Sequence, residues 1–374
     1  MIERRIKEQI VKRLFKGKAI VIHGARQVGK TTLVNSIASM YGNNVVFWNG
    51  DEPDIREIIS GATSTKLKAH IGSKKLVIID EAQKIPGIGQ SMKLIIDNYP
   101  EIQLIATGSS SFELSGQTNE PLTGRKFEYH LYPISFGEMV NHTSLIEEKR
   151  MLEHRMIYGY YPGIVSEPGD EKLLLSLITE SYLFKDIFSL GLVKKPLVLE
   201  KLVQALALQL GNEVSYHELG QMIGADNQTV ERYIDLLEKS YVVFRLSSLS
   251  RNLRNEIKKS KKVYFWDNGI RNAVIRNFNP LNLRADRGAL WENYMITGII
   301  KYNAYAGYFF NKWFWRTHSQ KEIDFILEMN GKLTAFEFKW QQRKKSRIPA
   351  DFRAAYENSG FNTATPDNFS DFLQ

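Results

Sequence analysis

The chain contains no cysteine. That excludes disulfides, cysteine-ligated zinc and iron–sulfur clusters, and it fits a reducing compartment. Long apolar runs are missing too. The longest, such as Leu76 to Ile79, have strand length, whereas a bilayer span needs ~20 apolar residues. Met1-Ile2-Glu3-Arg4-Arg5 opens a charged amphipathic stretch rather than an apolar signal core. A cytoplasmic location and no membrane partner are therefore expected. The 7 histidines have no metal-ligand spacing, no Ser-His-Asp arrangement stands out, and repeats and low-complexity tracts are absent.

What is present is the composition of a folded chain, with 43% hydrophobic and 24% charged residues. At 374 residues it exceeds one typical core, so two or three domains are expected. A net charge of +9 favours nucleic acid, nucleotides or an anionic surface as partners without choosing among them.

Residues 1 to about 135 alternate short apolar runs with helical patterns, as an α/β sheet with crossover helices requires. The expected strands are Ala19 to His23, Val45 to Trp48, Leu76 to Ile79, Gln103 to Thr107 and Phe127 to Leu131. A mostly helical connector, 136–210, follows. In 211–255, Ser215-Tyr216-His217-Glu218 reads as a capping box. Asp226 is placed to cap a second helix carrying Val230, Tyr233, Ile234 and Leu237 on one face, and Tyr241 to Leu246 reads as a strand. This is the outline of a winged helix-turn-helix. Arg251 to Lys262, with six Lys/Arg against one Glu, reads as a linker or wing. Residues 256–374 return to an α/β pattern rich in aromatics.

The strongest chemistry lies in Gly24-Ala25-Arg26-Gln27-Val28-Gly29-Lys30-Thr31-Thr32, between an apolar strand and a helix. Such a P-loop turns its backbone amides toward phosphates at a helix amino terminus. Lys30 would bridge the β- and γ-phosphates, and the Thr31 hydroxyl would take one Mg²⁺ position. Leu76-Val77-Ile78-Ile79-Asp80-Glu81 is a buried-strand run ending in two carboxylates, the Walker B pattern. Asp80 would hold Mg²⁺ through water and Glu81 would act as general base. The competing reading is a strand followed by a solvated acidic turn. Within Thr107-Gly108-Ser109-Ser110, Ser109 is the candidate γ-phosphate sensor, and Arg125 is the candidate arginine finger, in this or a neighbouring subunit. Mg-ATP is the expected ligand, with a homo-oligomer open.

The P-loop run through Leu33, Asp80-Glu81-Ala82-Gln83, Thr107 to Ser110 and Tyr132-Pro133-Ile134-Ser135-Phe136 resemble the prokaryotic AAA-type ATPase family with a DUF4143 carboxy-terminal domain. Tyr158-Gly159-Tyr160-Tyr161-Pro162 and Asp324 to Lys339 extend the match over nearly the whole chain. The resemblance implies an AAA-type ATPase core in residues 1–135, a winged-helix segment and a restriction-endonuclease-like carboxy-terminal domain.

Near the carboxy terminus, Asn330-Gly331 selects a two-residue type I′ hairpin, pairing Met329 with Lys332. Extended regularly, that register sets Asp324 opposite Glu337 and Glu322 opposite Lys339 on one side. Ile323, Phe325, Leu327, Phe336 and Phe338 then face the core. Two opposed carboxylates repel unless something neutralises them. A divalent metal on Asp324 and Glu337, with Lys339 activating a water, is one answer, and it suits a metal-dependent phosphodiesterase. The set resembles the PD-(D/E)XK nuclease pattern, for which Glu292 would supply a helical carboxylate. The other answer is a salt-bridge cluster on a solvated face.

The second winged-helix helix carries Glu231, Asp235 and Glu238 against Arg232 and Lys239, a poor balance for approaching phosphates. DNA or RNA is thus a candidate partner mainly through the basic stretch. A nucleotide-dependent switch acting on a protein partner is the alternative.

Overall fold

The computed structural model describes residues 1–109, 122–180, 193–250, 261–317, 319–341 and 347–374. Ser110 and residues 251–260 of the basic stretch lie outside them. The chain divides into two compact units. One consists of Arg4–Pro133 with Lys239–Tyr241; the other of Met1–Glu3, Ile134–Glu238 and Val242–Gln374.

The first unit is built on five parallel strands: β1 (Ala19–His23), β2 (Val45–Asn49), β3 (Leu76–Asp80), β4 (Gln103–Gly108) and β5 (Lys126–His130). All five expected strands are present. Their order in the sheet is β2-β3-β4-β1-β5. The inner strands β1, β3 and β4 are buried along their whole length, while the edge strands β2 and β5 are partly exposed. Near-continuous apolar runs are what a sheet covered on both faces demands. On one face Val21, Val77, Ile79 and Leu104 pack with Met92 and Ile95 of the helix Ile88–Asn98.

In the second unit, helix Pro196–Leu208 leads to a short strand β6 (Glu213–Val214) and two further helices, Tyr216–Ile223 and Asn227–Lys239. The Ser215 hydroxyl accepts from Glu218 N, and the Asp226 carboxylate accepts from Thr229 N at 2.8 Å, so both expected helix starts are capped. Val230, Tyr233, Ile234 and Leu237 are buried as the spacing predicts. Strands β7 (Val243–Ser247) and β8 (Lys261–Phe265) complete a three-stranded antiparallel sheet ordered β6-β8-β7. The end of the basic stretch is therefore not linker: Lys261 and Lys262 open the central strand of this sheet, beyond the expected boundary at 255.

Helix Arg287–Tyr305, strands β9 (Asn311–Arg316), β10 (Glu322–Met329) and β11 (Lys332–Phe338), helix Ala350–Ala355 and strand β12 (Gly360–Ala364) follow in turn. The sheet runs β12-β11-β10-β9, antiparallel through β11, with β12 parallel to β11. The tail thus supplies the closing strand. Asn330 (φ 52°) and Gly331 (φ 76°) form the expected turn, and the register runs from Met329↔Lys332 to Phe325↔Phe336.

Beyond that point the expected facing is corrected. The β10–β9 register shifts between Ile323 and Ile326, and both join one apolar cluster with Ala335 and Phe352. A regular strand puts residues three apart on opposite faces; the bulge puts these two on one. Ile323 therefore does not share a face with Phe325 and Leu327. Among the described residues, no helix is long and apolar enough to cross a membrane.

Candidate functional site

The P-loop follows the carboxy end of β1. A Cβ at Gly24 would run into the Leu131 carbonyl, so only glycine fits there. Gln27 (φ 60°) and Gly29 (φ 93°) take left-handed backbone, which curls the loop before the helix Lys30–Ala38 begins. The Arg4 guanidinium braces the loop, donating to the carbonyls of Val28 (2.7 Å) and Tyr132 (2.6 Å). Lys30 is 4% exposed, and its ammonium donates to the carbonyls of Gly24 (3.0 Å) and Ala25 (2.9 Å). Burial lowers its pKa to about 8, against the opposing pull of Glu81 and Asp80.

Because β4 lies between β1 and β3, it carries Thr107 to both motifs. Thr107 pairs with Ile22 of β1, and its fully buried hydroxyl donates to Asp80 Oδ1. The same hydroxyl accepts from Glu81 N at 3.2 Å. The Thr31 hydroxyl donates to Asp80 Oδ2 at 2.7 Å. Glu81 itself sits in left-handed backbone (φ 49°). Its Oε2 accepts from Gln83 Nε2 at 2.5 Å, and the same amide lies 3.1 Å from Ser109 Oγ. Lys30, Thr31, Asp80, Glu81 and Ser109 are thus brought together as expected from the sequence.

Thr107 and Gln83 stand within the motif runs, but the sequence assigns neither an individual role. The available signal for Thr107 was a polar residue near the end of the otherwise apolar run Leu104 to Ala106. For Gln83 it was its place two residues after the candidate base.

Arg125 requires a correction. β5 starts at Lys126, opposite Ala19 at the beginning of β1, while the P-loop follows His23 at the other end. At ~3.3 Å per residue the two ends of the strands are roughly 15 Å apart. Arg125 Nε instead donates to Asp97 at 2.7 Å. Within one chain it does not reach the phosphate site.

The second candidate cluster lies in the other unit. Asp324 Oδ2 accepts from Phe338 N at 2.7 Å. Burial, with Glu292 and Glu337 nearby, pushes Asp324 well above the usual carboxylate range. Glu292, raised mainly by burial, accepts at one oxygen from Tyr264 (2.5 Å) and Lys262 (3.3 Å). Lys262 also pairs with Glu322. Burial opposes its charge, but Glu292, Glu322 and Asp324 together hold its pKa above the ordinary lysine value. Glu337 pairs with Lys339 at 2.6 Å. The expected opposition of Glu322 to Lys339 is therefore corrected: Glu322 meets Lys262 and, at 3.5 Å, Arg316. Lys262 and Tyr264, both from β8, were not anticipated as members of this cluster. Among the described residues, no three His, Cys, Asp or Glu side chains are grouped to hold a metal ion.

Three family models match successive parts of the chain. They are an AAA domain over residues 16–140, a domain of unknown function (DUF8612) over 149–281 and a domain of unknown function (DUF4143) over 287–368. An uncharacterized protein of Haemophilus influenzae is 26% identical over 281 residues, covering 68% of each chain. An uncharacterized protein of Mycobacterium tuberculosis is 24% identical over 345 residues, covering 91% of this chain and 74% of its own. The ORC2 protein of Aeropyrum pernix in its ADP form is 15% identical, with coverage of 64% and 84% and a TM-score of 0.31, too low to bear on function. The matches of the AAA and DUF4143 models, on a parallel sheet, support an AAA-type P-loop ATPase with a carboxy-terminal DUF4143 domain.

Proposed function

We propose that the chain binds Mg-ATP at Gly24 to Thr32 and hydrolyses it. The observation that carries this reading is the hydrogen-bonded chain Thr31–Asp80–Thr107–Glu81 beside a buried Lys30. Thr31 and Asp80 offer hard oxygen donors that suit Mg²⁺, which would neutralise charge on the β- and γ-phosphate oxygens. On nucleotide binding, the Lys30 ammonium exchanges the Gly24 and Ala25 carbonyls for phosphate oxygens, and the amides of Val28 to Thr32 line the phosphate chain. Glu81 takes the proton of the attacking water. Gln83 fixes the Glu81 carboxylate, Thr107 fixes its backbone, and Ser109 lies on the same amide where a γ-phosphate contact would form.

Phosphate release and nucleotide binding, measured in parallel, test this. Lys30→Ala should lose binding. Glu81→Gln should bind Mg-ATP and release phosphate at least ~100-fold more slowly. Normal hydrolysis by Glu81→Gln would sink the assignment of Glu81 as base.

For the remainder of the chain, a specific observation favours a binding role over cleavage. The order helix, three strands, helix, strand supports a restriction-endonuclease-like reading of the carboxy-terminal part. The β6-β8-β7 sheet with its helices supports a winged helix. Yet the buried Lys262 already pairs with Glu292, one of the acids that a metal-dependent nuclease would need free, and with the adjoining Glu322. We therefore read the protein as a nucleotide-dependent switch whose nuclease-like domain binds DNA, RNA or a protein partner. DNA cleavage in Mn²⁺ that disappears in Asp324→Ala would reverse that choice in favour of a nuclease.

A further inference from the structure

We propose that Lys262 is a built-in cation of the carboxy-terminal acidic cluster, so that the wild-type chain binds no divalent metal at Asp324, Glu337 and Glu292. The inference rests on reading those residues as the acidic set of a nuclease-like fold.

A divalent cation needs several carboxylate oxygens turned toward one point. Here one oxygen of each carboxylate already has a donor. Glu292 Oε1 accepts from both Lys262 Nζ (3.3 Å) and the Tyr264 hydroxyl (2.5 Å). Glu322 Oε1 takes the same ammonium. Asp324 Oδ2 accepts the Phe338 amide at 2.7 Å, and Glu337 Oε1 is held by Lys339 at 2.6 Å.

Lys262 is also locked in place. It is 2% exposed, and its ammonium lies 5.3 Å from the centre of the Phe314 ring. A divalent ion placed among these carboxylates would have a buried like charge beside it, which is strongly unfavourable where water is excluded. The ammonium enters from β8, a strand of the three-stranded sheet, so the neighbouring module supplies the cluster's charge balance. Removing that charge while keeping the bulk should free Glu292 and Glu322 together and leave a cation-deficient site.

Bound Mn²⁺ can be counted by electron paramagnetic resonance on the full chain without nucleotide. The wild type should match Asp324→Asn, because any Mn²⁺ at Thr31 and Asp80 is common to both. Lys262→Met should gain one further bound Mn²⁺, at least tenfold tighter than any wild-type binding at this cluster, and Lys262→Met/Asp324→Asn should lose it. A wild-type Mn²⁺ that Asp324→Asn removes overturns the proposal while leaving the nuclease-like acidic set intact; this comparison holds even if Lys262→Met fails to fold. A folded Lys262→Met chain that gains no ion overturns both the proposal and the reading beneath it.

Discussion

Lys30 makes nucleotide binding pH-dependent in a direction fixed by its surroundings. Its pKa falls from 10.5 to about 8 because burial outweighs the pull of Glu81 and Asp80. That difference corresponds to roughly 3 kcal/mol. The folded value lies below the unfolded one, so the charged ammonium costs stability at neutral pH. The cost is relieved as pH rises from about 8 toward 10.5, where only the unfolded chain still holds the proton. Phosphate oxygens reverse the balance by restoring the preference for the charged form. Binding above about pH 8 must therefore take up a proton, and the dissociation constant should worsen toward tenfold per pH unit. ADP titrated calorimetrically in a chelator, in two buffers of different ionisation heat, reads both effects. About half a proton should be taken up per ADP at pH 8. Lys30→Arg keeps its charge and should bind with no such pH dependence. Affinity that stays flat to about pH 9.5, with heats independent of buffer, would mean that Lys30 takes up no proton on binding.

Gln83→Ala releases the Glu81 carboxylate from its 2.5 Å partner, so turnover should fall roughly tenfold while nucleotide affinity holds; unchanged turnover would show that Gln83 does not position Glu81. Arg125→Ala should leave phosphate release by dilute chain within about twofold, since its partner is Asp97. A large loss that grows with protein concentration would instead place Arg125 at a neighbouring copy's nucleotide. Gly159 has φ +75°, and a Cβ there would meet the Asp267 carboxylate. Gly159→Ala should therefore lower unfolding stability by roughly 3 kcal/mol in denaturant titration, and a loss below ~0.5 kcal/mol would contradict the packing at that position.

The phosphate loop was readable because its determinants are local: glycines where backbone must turn, a lysine and threonine at the helix start, a strand before them. Thr107 depends on something nonlocal, the insertion of β4 between β1 and β3. No short-range pattern encodes a strand's neighbours. The same contrast divides the carboxy-terminal hairpin. Asn330-Gly331 dictates the turn and the register near it, whereas the shift between Ile323 and Ile326 arises from pairing with β9 and has no glycine or proline to mark it.

Arg125 looked available as a finger because its position after a loop says nothing about which end of the strands that loop occupies. Lys262 was hidden for another reason. In a run of basic residues it reads as one more solvated charge. Its burial follows from partners 30 and 60 residues away in sequence, Glu292 and Glu322. Asp235 and Glu238 mislead in the opposite direction: both pair with Arg245 of β7, so much of the helix's apparent acidity is already neutralised.

The placement of β4 also sets terms for how the chain is made. Synthesis releases β1, β2 and β3 first, yet β1 and β3 are not neighbours in the finished sheet. Until Gln103–Gly108 leaves the ribosome, each has an unmatched hydrogen-bonding edge, and the first four residues of both strands are apolar. Such edges invite pairing with each other or with another nascent chain. Ribosome-stalled chains ending before β4 should accordingly associate with chaperones or aggregate, and those extending past β5 should become protease-resistant in a single step.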